Sequence, residues 1–171
     1  MKRLVLPVLL AVALLSGCSA AGAPTDSPTP SSAPTQTEAT PQQVASVLAQ
    51  YKADWEEVVD GAIDCRATWA LDTDPVGKIK GSSCYLREQT IGITAQLVLR
   101  DWAKLEIPSS MSSLVGDTSK LLQGVADIDL KTECGADVVP ADTAQCNTAL
   151  GSRNFLYTAL KPQLAAWSPY L

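Results

Sequence analysis

The chain has 171 residues, 13 basic and 18 acidic side chains and no histidine. An acidic chain of net charge −5 is a poor partner for nucleic acid, whose binding rests on neutralising phosphates. The missing histidine excludes Ser-His-Asp and Cys-His catalysis and every histidine-based metal or haem site.

Lys2 and Arg3 open the chain, and Leu4 to Leu15 is apolar apart from Pro7. Those twelve residues fall short of the ~20 that cross a bilayer, so the segment reads as a secretory leader. Small residues then lead into a cysteine: Leu15-Ser16-Gly17-Cys18. This run resembles the lipobox of bacterial lipoproteins, position by position. The resemblance covers only the N-terminal segment. It implies cleavage before Cys18, a diacylglycerol on its thiol and acylation of the new amino group. The alternative is an ordinary leader followed by a chance cysteine. Two or three acyl chains anchor stably where one binds marginally. The expected location is the extracytoplasmic face of the cell membrane. Loss of Lys2 and Arg3 with residues 1–17 takes the net charge from −5 to −7.

From residue 18 to 41 the chain is rich in Ser, Thr, Ala and Pro, with five of its eleven prolines at 24, 28, 30, 34 and 41. Such a composition cannot build a core and predicts a disordered stalk. A coil of about 22 residues spans roughly 25 Å, and a proline-stiffened one roughly 70 Å.

Residues 42–171 suffice for one all-α domain. Val44, Leu48, Tyr51, Trp55, Val58, Ala62, Cys65 and Trp69 keep a four-three spacing, which predicts a helix over 41–69. Helices over 83–107, 109–134 and 142–168 follow in the same way, with Pro162 expected to kink or divide the last. Short connections make an antiparallel four-helix bundle the expected architecture.

With Cys18 assigned to lipid, Cys65, Cys84, Cys134 and Cys146 remain. An even number in an oxidising compartment predicts two disulfides. The preferred pairing is Cys65–Cys84 and Cys134–Cys146, each bracketing one loop, and all four cysteines then share the end of the bundle far from the stalk. Zinc is the competing use of four cysteines, but its sites favour closely spaced pairs, and the smallest gap here is eleven residues. No cofactor or metal is expected.

The acidic row Glu56, Glu57, Asp60 and Asp64 reads as a solvated helix face. Asp72-x-Asp74 lacks the glycine and terminal glutamate of a calcium loop. Gly77-Lys78 lacks the rest of a phosphate loop. Glu88 and Arg153 interrupt the apolar stripes of helices two and four. They either pair with each other around a small distal pocket or, as preferred, snorkel to the surface. Trp55, Trp69, Trp102 and Tyr157 either fill the core, as preferred, or line a ligand pocket.

The expected function is non-enzymatic: a membrane-anchored binding or scaffold module that meets an envelope protein or wall polymer. Its candidate surface is the loop over residues 70–82, with Asp72, Asp74, Lys78 and Lys80, because polar loops on a rigid scaffold commonly carry recognition. In layout the chain resembles small lipid-anchored lipoproteins of Gram-positive bacteria, some of them carried by prophages to block superinfection. A small-ligand carrier and a superinfection-exclusion lipoprotein are the alternatives, and an envelope hydrolase is disfavoured.

Overall fold

A Thr-Pro-x-Gln sequence starts the first helix. Thr40 Oγ1 accepts from the Gln43 amide at 3.2 Å, and Gln43 Oε1 accepts from the Thr40 amide at 2.8 Å. This reciprocal capping box satisfies two amides that have no partner within the helix, and Pro41 suits the first helical position. The computed structural model describes residues 37–171 apart from 72–73, 136, 138–139 and 141, with backbone only at 69 and 70. Cys18, the expected leader, the expected stalk up to residue 36 and Asp72 lie outside the described residues.

The helices are α1 (Pro41–Leu71), α2 (Pro75–Trp102), α3 (Ser112–Asp127), α4 (Leu130–Cys134) and α5 (Ala144–Ala165), with 3-10 turns at Ser109–Met111 and Ser168–Tyr170. Packing of α1 on α2, α2 on α3, α3 on α5 and α5 on α1 closes a four-helix ring. The fold is the expected antiparallel bundle, with the short α4 packed against α5. No described helix is long and apolar enough to cross a membrane.

Two boundaries differ from the spacing-based reading. The second helix begins at Pro75, not near residue 83, and ends at Trp102. Asp74 caps it by accepting from the Val76 and Gly77 amides at 2.9 and 3.1 Å. Gly77 and Gly81, which fall within the expected loop over residues 70–82, are buried inside the helix. The stretch over 109–134 is also not one helix. It breaks at Ile128, whose backbone is extended, and restarts behind the Asp129 cap as α4. Pro162 lies within α5, which continues past it to Ala165.

The core has two apolar parts. The larger includes Val44, Leu48, Trp55, Ile91, Leu122 and Leu160, each such side chain worth roughly 1.5–3 kcal/mol when fully buried. Trp102 stacks on Trp167 with ring centres 5.2 Å apart. The Trp167 indole donates to Thr118 Oγ1 at 3.0 Å and that of Trp102 to the Val44 carbonyl at 2.9 Å. The smaller part gathers Tyr85, Leu130, Cys134, Cys146, Ala149 and Leu150.

Both disulfides have the expected pairing. Cys65–Cys84 joins α1 to α2 with Cα atoms 5.5 Å apart, and Cys134–Cys146 joins α4 to α5 at 4.5 Å. Cys65–Cys84 does not sit at the helix ends as expected, because α1 runs on to Leu71 and α2 already starts at Pro75. Tyr85, the neighbour of Cys84, places its hydroxyl 3.0 Å from the carbonyls of Leu130 and Gly135, on either side of Cys134.

Candidate functional site

A layer of charge separates the two apolar parts. On α2, Tyr85 belongs to the small part, Ile91 to the large part and Glu88 lies between them. On α5 the corresponding order is Leu150, Arg153 and Tyr157. Glu88 and Arg153 are only 1% and 2% exposed, so neither snorkels to the surface.

Nor does Glu88 take Arg153 as its ion-pair partner. Arg66 of α1 holds the Glu88 carboxylate through two bonds, Nε to Oε1 at 3.1 Å and Nη2 to Oε2 at 2.9 Å. The planar guanidinium fork matches a carboxylate in this way. The Tyr157 hydroxyl donates a third bond to Glu88 Oε2 at 3.2 Å. Arg153 instead points at the backbone. Its Nη1 donates to the Glu88 carbonyl and its Nη2 to the Ile128 carbonyl, the latter at 2.7 Å. The break between α3 and α4 is what frees that carbonyl from helical pairing.

Sequence spacing missed Arg66, which falls beside Cys65 but off the apolar stripe. The signal was the disulfide register. Pairing Cys65 with Cys84 brings Arg66 near Glu88, since helical side chains lean toward their own N-terminus and Glu88 lies that way.

Among the described residues, the buried Arg153 Nε has no hydrogen-bond partner, and Gln89 lies close by. Both residues line a groove of about 250 Å³ between α2 and the α3–α4 break, with Gly92, Gln96, Asp129 and Lys131. A Cβ at Gly92 would stand 2.6 Å from Arg153 Nη2, so the missing side chain makes room for the guanidinium. The Thr132 hydroxyl, bound to Asp129 at 2.7 Å, holds that carboxyl below the usual carboxylate range. Burial raises the Tyr85 and Tyr157 hydroxyls above the ordinary tyrosine range, and for Tyr157 the Glu88 carboxylate adds to the effect.

A second groove runs along the seam of α1 and α2. Its first stretch, about 250 Å³, is lined by Tyr51, Asp54, Trp55 and Thr90. The next, about 390 Å³, is lined by Asp64, Cys65, Thr68 and Lys80. They meet at the exposed Glu57–Arg87 ion pair. Trp55 is therefore a core residue that also forms part of a groove wall, while Trp102 and Tyr157 are buried in the core. The Trp69 side chain lies outside the described residues.

Three members of the acidic row take different cations: Glu56 binds Lys52 at 2.6 Å, Glu57 binds Arg87, and Asp60 binds Lys161 at 2.8 Å. The candidate partner loop is largely helix. Asp74 is used as a cap, and Lys78 and Lys80 stand exposed in the first turns of α2. No protein-family model, curated protein or solved structure matches this chain.

Proposed function

We propose that the chain is an extracytoplasmic lipoprotein, anchored through lipid on Cys18, whose disulfide-stapled head is a non-enzymatic binding or scaffold module of the cell envelope. The observation that carries this reading is the use of the five cysteines. Four pair within the head, as suits an oxidising compartment. The fifth stands alone, behind an apolar leader and the small residues Ser16 and Gly17. The composition of the stalk suits a spacer between lipid and head, and the buried ionic layer and two disulfides suit a rigid head that loses little entropy on binding. Expression of wild type and Cys18→Ala in a bacterial host, followed by membrane fractionation, tests it. The variant is expected to appear in the soluble fraction or to remain an uncut precursor. A processed variant that still fractionates with membranes would refute lipid attachment at Cys18.

The groove at Tyr51 and Trp55 favours a second reading, a carrier of a small aromatic or apolar ligand. It predicts that such ligands shift the tryptophan fluorescence of the head, and that Tyr51→Ala abolishes the shift.

A further inference from the structure

The outward face of α2 is both apolar and basic. Val76, Ile79, Leu86 and Ile93 are 60%, 70%, 50% and 61% exposed. With Ser83, Thr90 and Leu97 they follow alternating steps of three and four, which places them on one line along the helix. The opposite face of the same helix, with Glu88, Ile91, Ala95, Val98 and Trp102, is buried, so the exposed line is the outermost one.

The charges on this helix are segregated. Lys78 and Arg100 flank the line on one side, and Lys80 and Arg87 flank it on the other. From Pro75 to Arg100 the one carboxylate is Glu88, and it is turned inward and held by Arg66. At the helix ends, Asp74 is occupied as a cap and Asp101 is bound by Lys104 at 2.6 Å and Arg100 at 3.5 Å. The adjoining edge of α1 carries Asp54, Glu57 and Asp64 along the groove, with Glu57 bound by Arg87. A cationic helix face is unexpected on a chain of net charge −5.

We propose that this face of α2 docks on an anionic lipid bilayer. The four apolar side chains would enter the headgroup region, and Lys78, Lys80 and Arg100 would reach lipid phosphates, while Arg87 stays on Glu57. Apolar residues flanked by Lys and Arg are the pattern of helices that lie in the membrane interface. A helix of 28 residues gives a contact about 42 Å long. A second copy of the chain fits the face poorly, because cations on both edges would meet cations. Four partly exposed side chains also offer less than the ~800 Å² per partner of a standard interface. The contact deepens the anchored-head reading: lipid on Cys18 would be one attachment and α2 the second, with the head lying along the membrane. The assay below leaves the acyl chains out, so the two readings fail separately.

The unlipidated chain from Ser19 to Leu171, with both disulfides formed, is sedimented with vesicles of equal phosphatidylglycerol and phosphatidylcholine, and with phosphatidylcholine alone. The head within it is a compact unit, Gln36–Leu171. Circular dichroism checks that every variant is folded. Binding to the anionic vesicles, weakened by salt, is expected. Leu86→Gln with Ile93→Gln, and separately Lys78→Glu with Lys80→Glu, should each weaken it by about tenfold or more. No binding to anionic vesicles, equal binding to both vesicle types, or unchanged binding by both folded variants would overturn the proposal. So would a dimer in solution that the Leu86/Ile93 variant abolishes while vesicles bind nothing.

Discussion

Arg66 and Glu88 are joined by two parallel hydrogen bonds, 3.1 and 2.9 Å long, between the large and the small apolar parts of the core. Their side chains are 15% and 1% exposed. Removing one member of such a pair strands a charge away from water, at a cost of about 3–5 kcal/mol. Glu88→Leu should therefore destabilise the head by about that much, as it leaves the Arg66 guanidinium without its carboxylate and the Tyr157 hydroxyl without its acceptor. Adding Arg66→Met to Glu88→Leu should restore part of the loss, because two apolar side chains replace a costly pair. Urea unfolding of the two single variants and the double variant measures the coupling. Additive losses would show that the pair does not act as a unit.

Gly92 and Gly61 are both helical glycines, yet alanine should have opposite effects at the two sites. At Gly92 the new methyl would meet Arg153 Nη2 at 2.6 Å. The guanidinium would have to leave the carbonyl of Ile128 or of Glu88, so a loss of about 1–3 kcal/mol is expected. At Gly61 nothing lies within 4 Å, and Gly61→Ala should stabilise by about 0.5–1 kcal/mol through helix propensity and unfolded-state entropy. Thermal melts of the two variants check the difference in sign.

Tyr85 and Tyr157 make the head sensitive to alkali. Both hydroxyls have folded pKa values raised above the ordinary 10.0, with burial as the main cause. Above pH 10 the unfolded chain loses these protons and the folded chain keeps them. The unfolded state then binds fewer protons, and stability falls as pH rises. Stability should be unaffected by these two groups below pH 10 and should decline above it. Tyr157→Phe should reduce the decline. Absorbance at the tyrosinate band and circular dichroism, followed together, should show part of the tyrosine ionisation coinciding with unfolding. Complete ionisation of all four tyrosines in a head that remains folded would contradict the placement of these hydroxyls.

Much of the bundle was legible in the spacing of apolar residues. The stripe Cys146, Leu150, Arg153, Tyr157, Leu160, Leu164 and Trp167 is buried along its whole length, because one face of a helix has to close on its neighbours. The disulfide pairing was legible too, since each pair brackets a single connection. The start of α2 was not. Gly77 and Gly81 resemble loop residues, whereas in the fold they are buried within the helix, and tertiary packing overrides their poor helix propensity. The partner of Glu88 was also missed, because periodicity within one helix says nothing about what an adjacent helix contributes. The break at Ile128 has a tertiary cause as well: a carbonyl is presented to Arg153 from the other side of the groove.

Cys18 is proposed to carry lipid, and the other four cysteines form two disulfides. Mass spectrometry of protein extracted from bacterial membranes, digested without reduction, tests both parts together. The predicted result is an N-terminal peptide that begins at Cys18 and carries the mass of acyl chains, together with the linked pairs Cys65–Cys84 and Cys134–Cys146. An N-terminus upstream of Cys18, a free thiol at Cys18, or Cys18 bridged to another cysteine would contradict it.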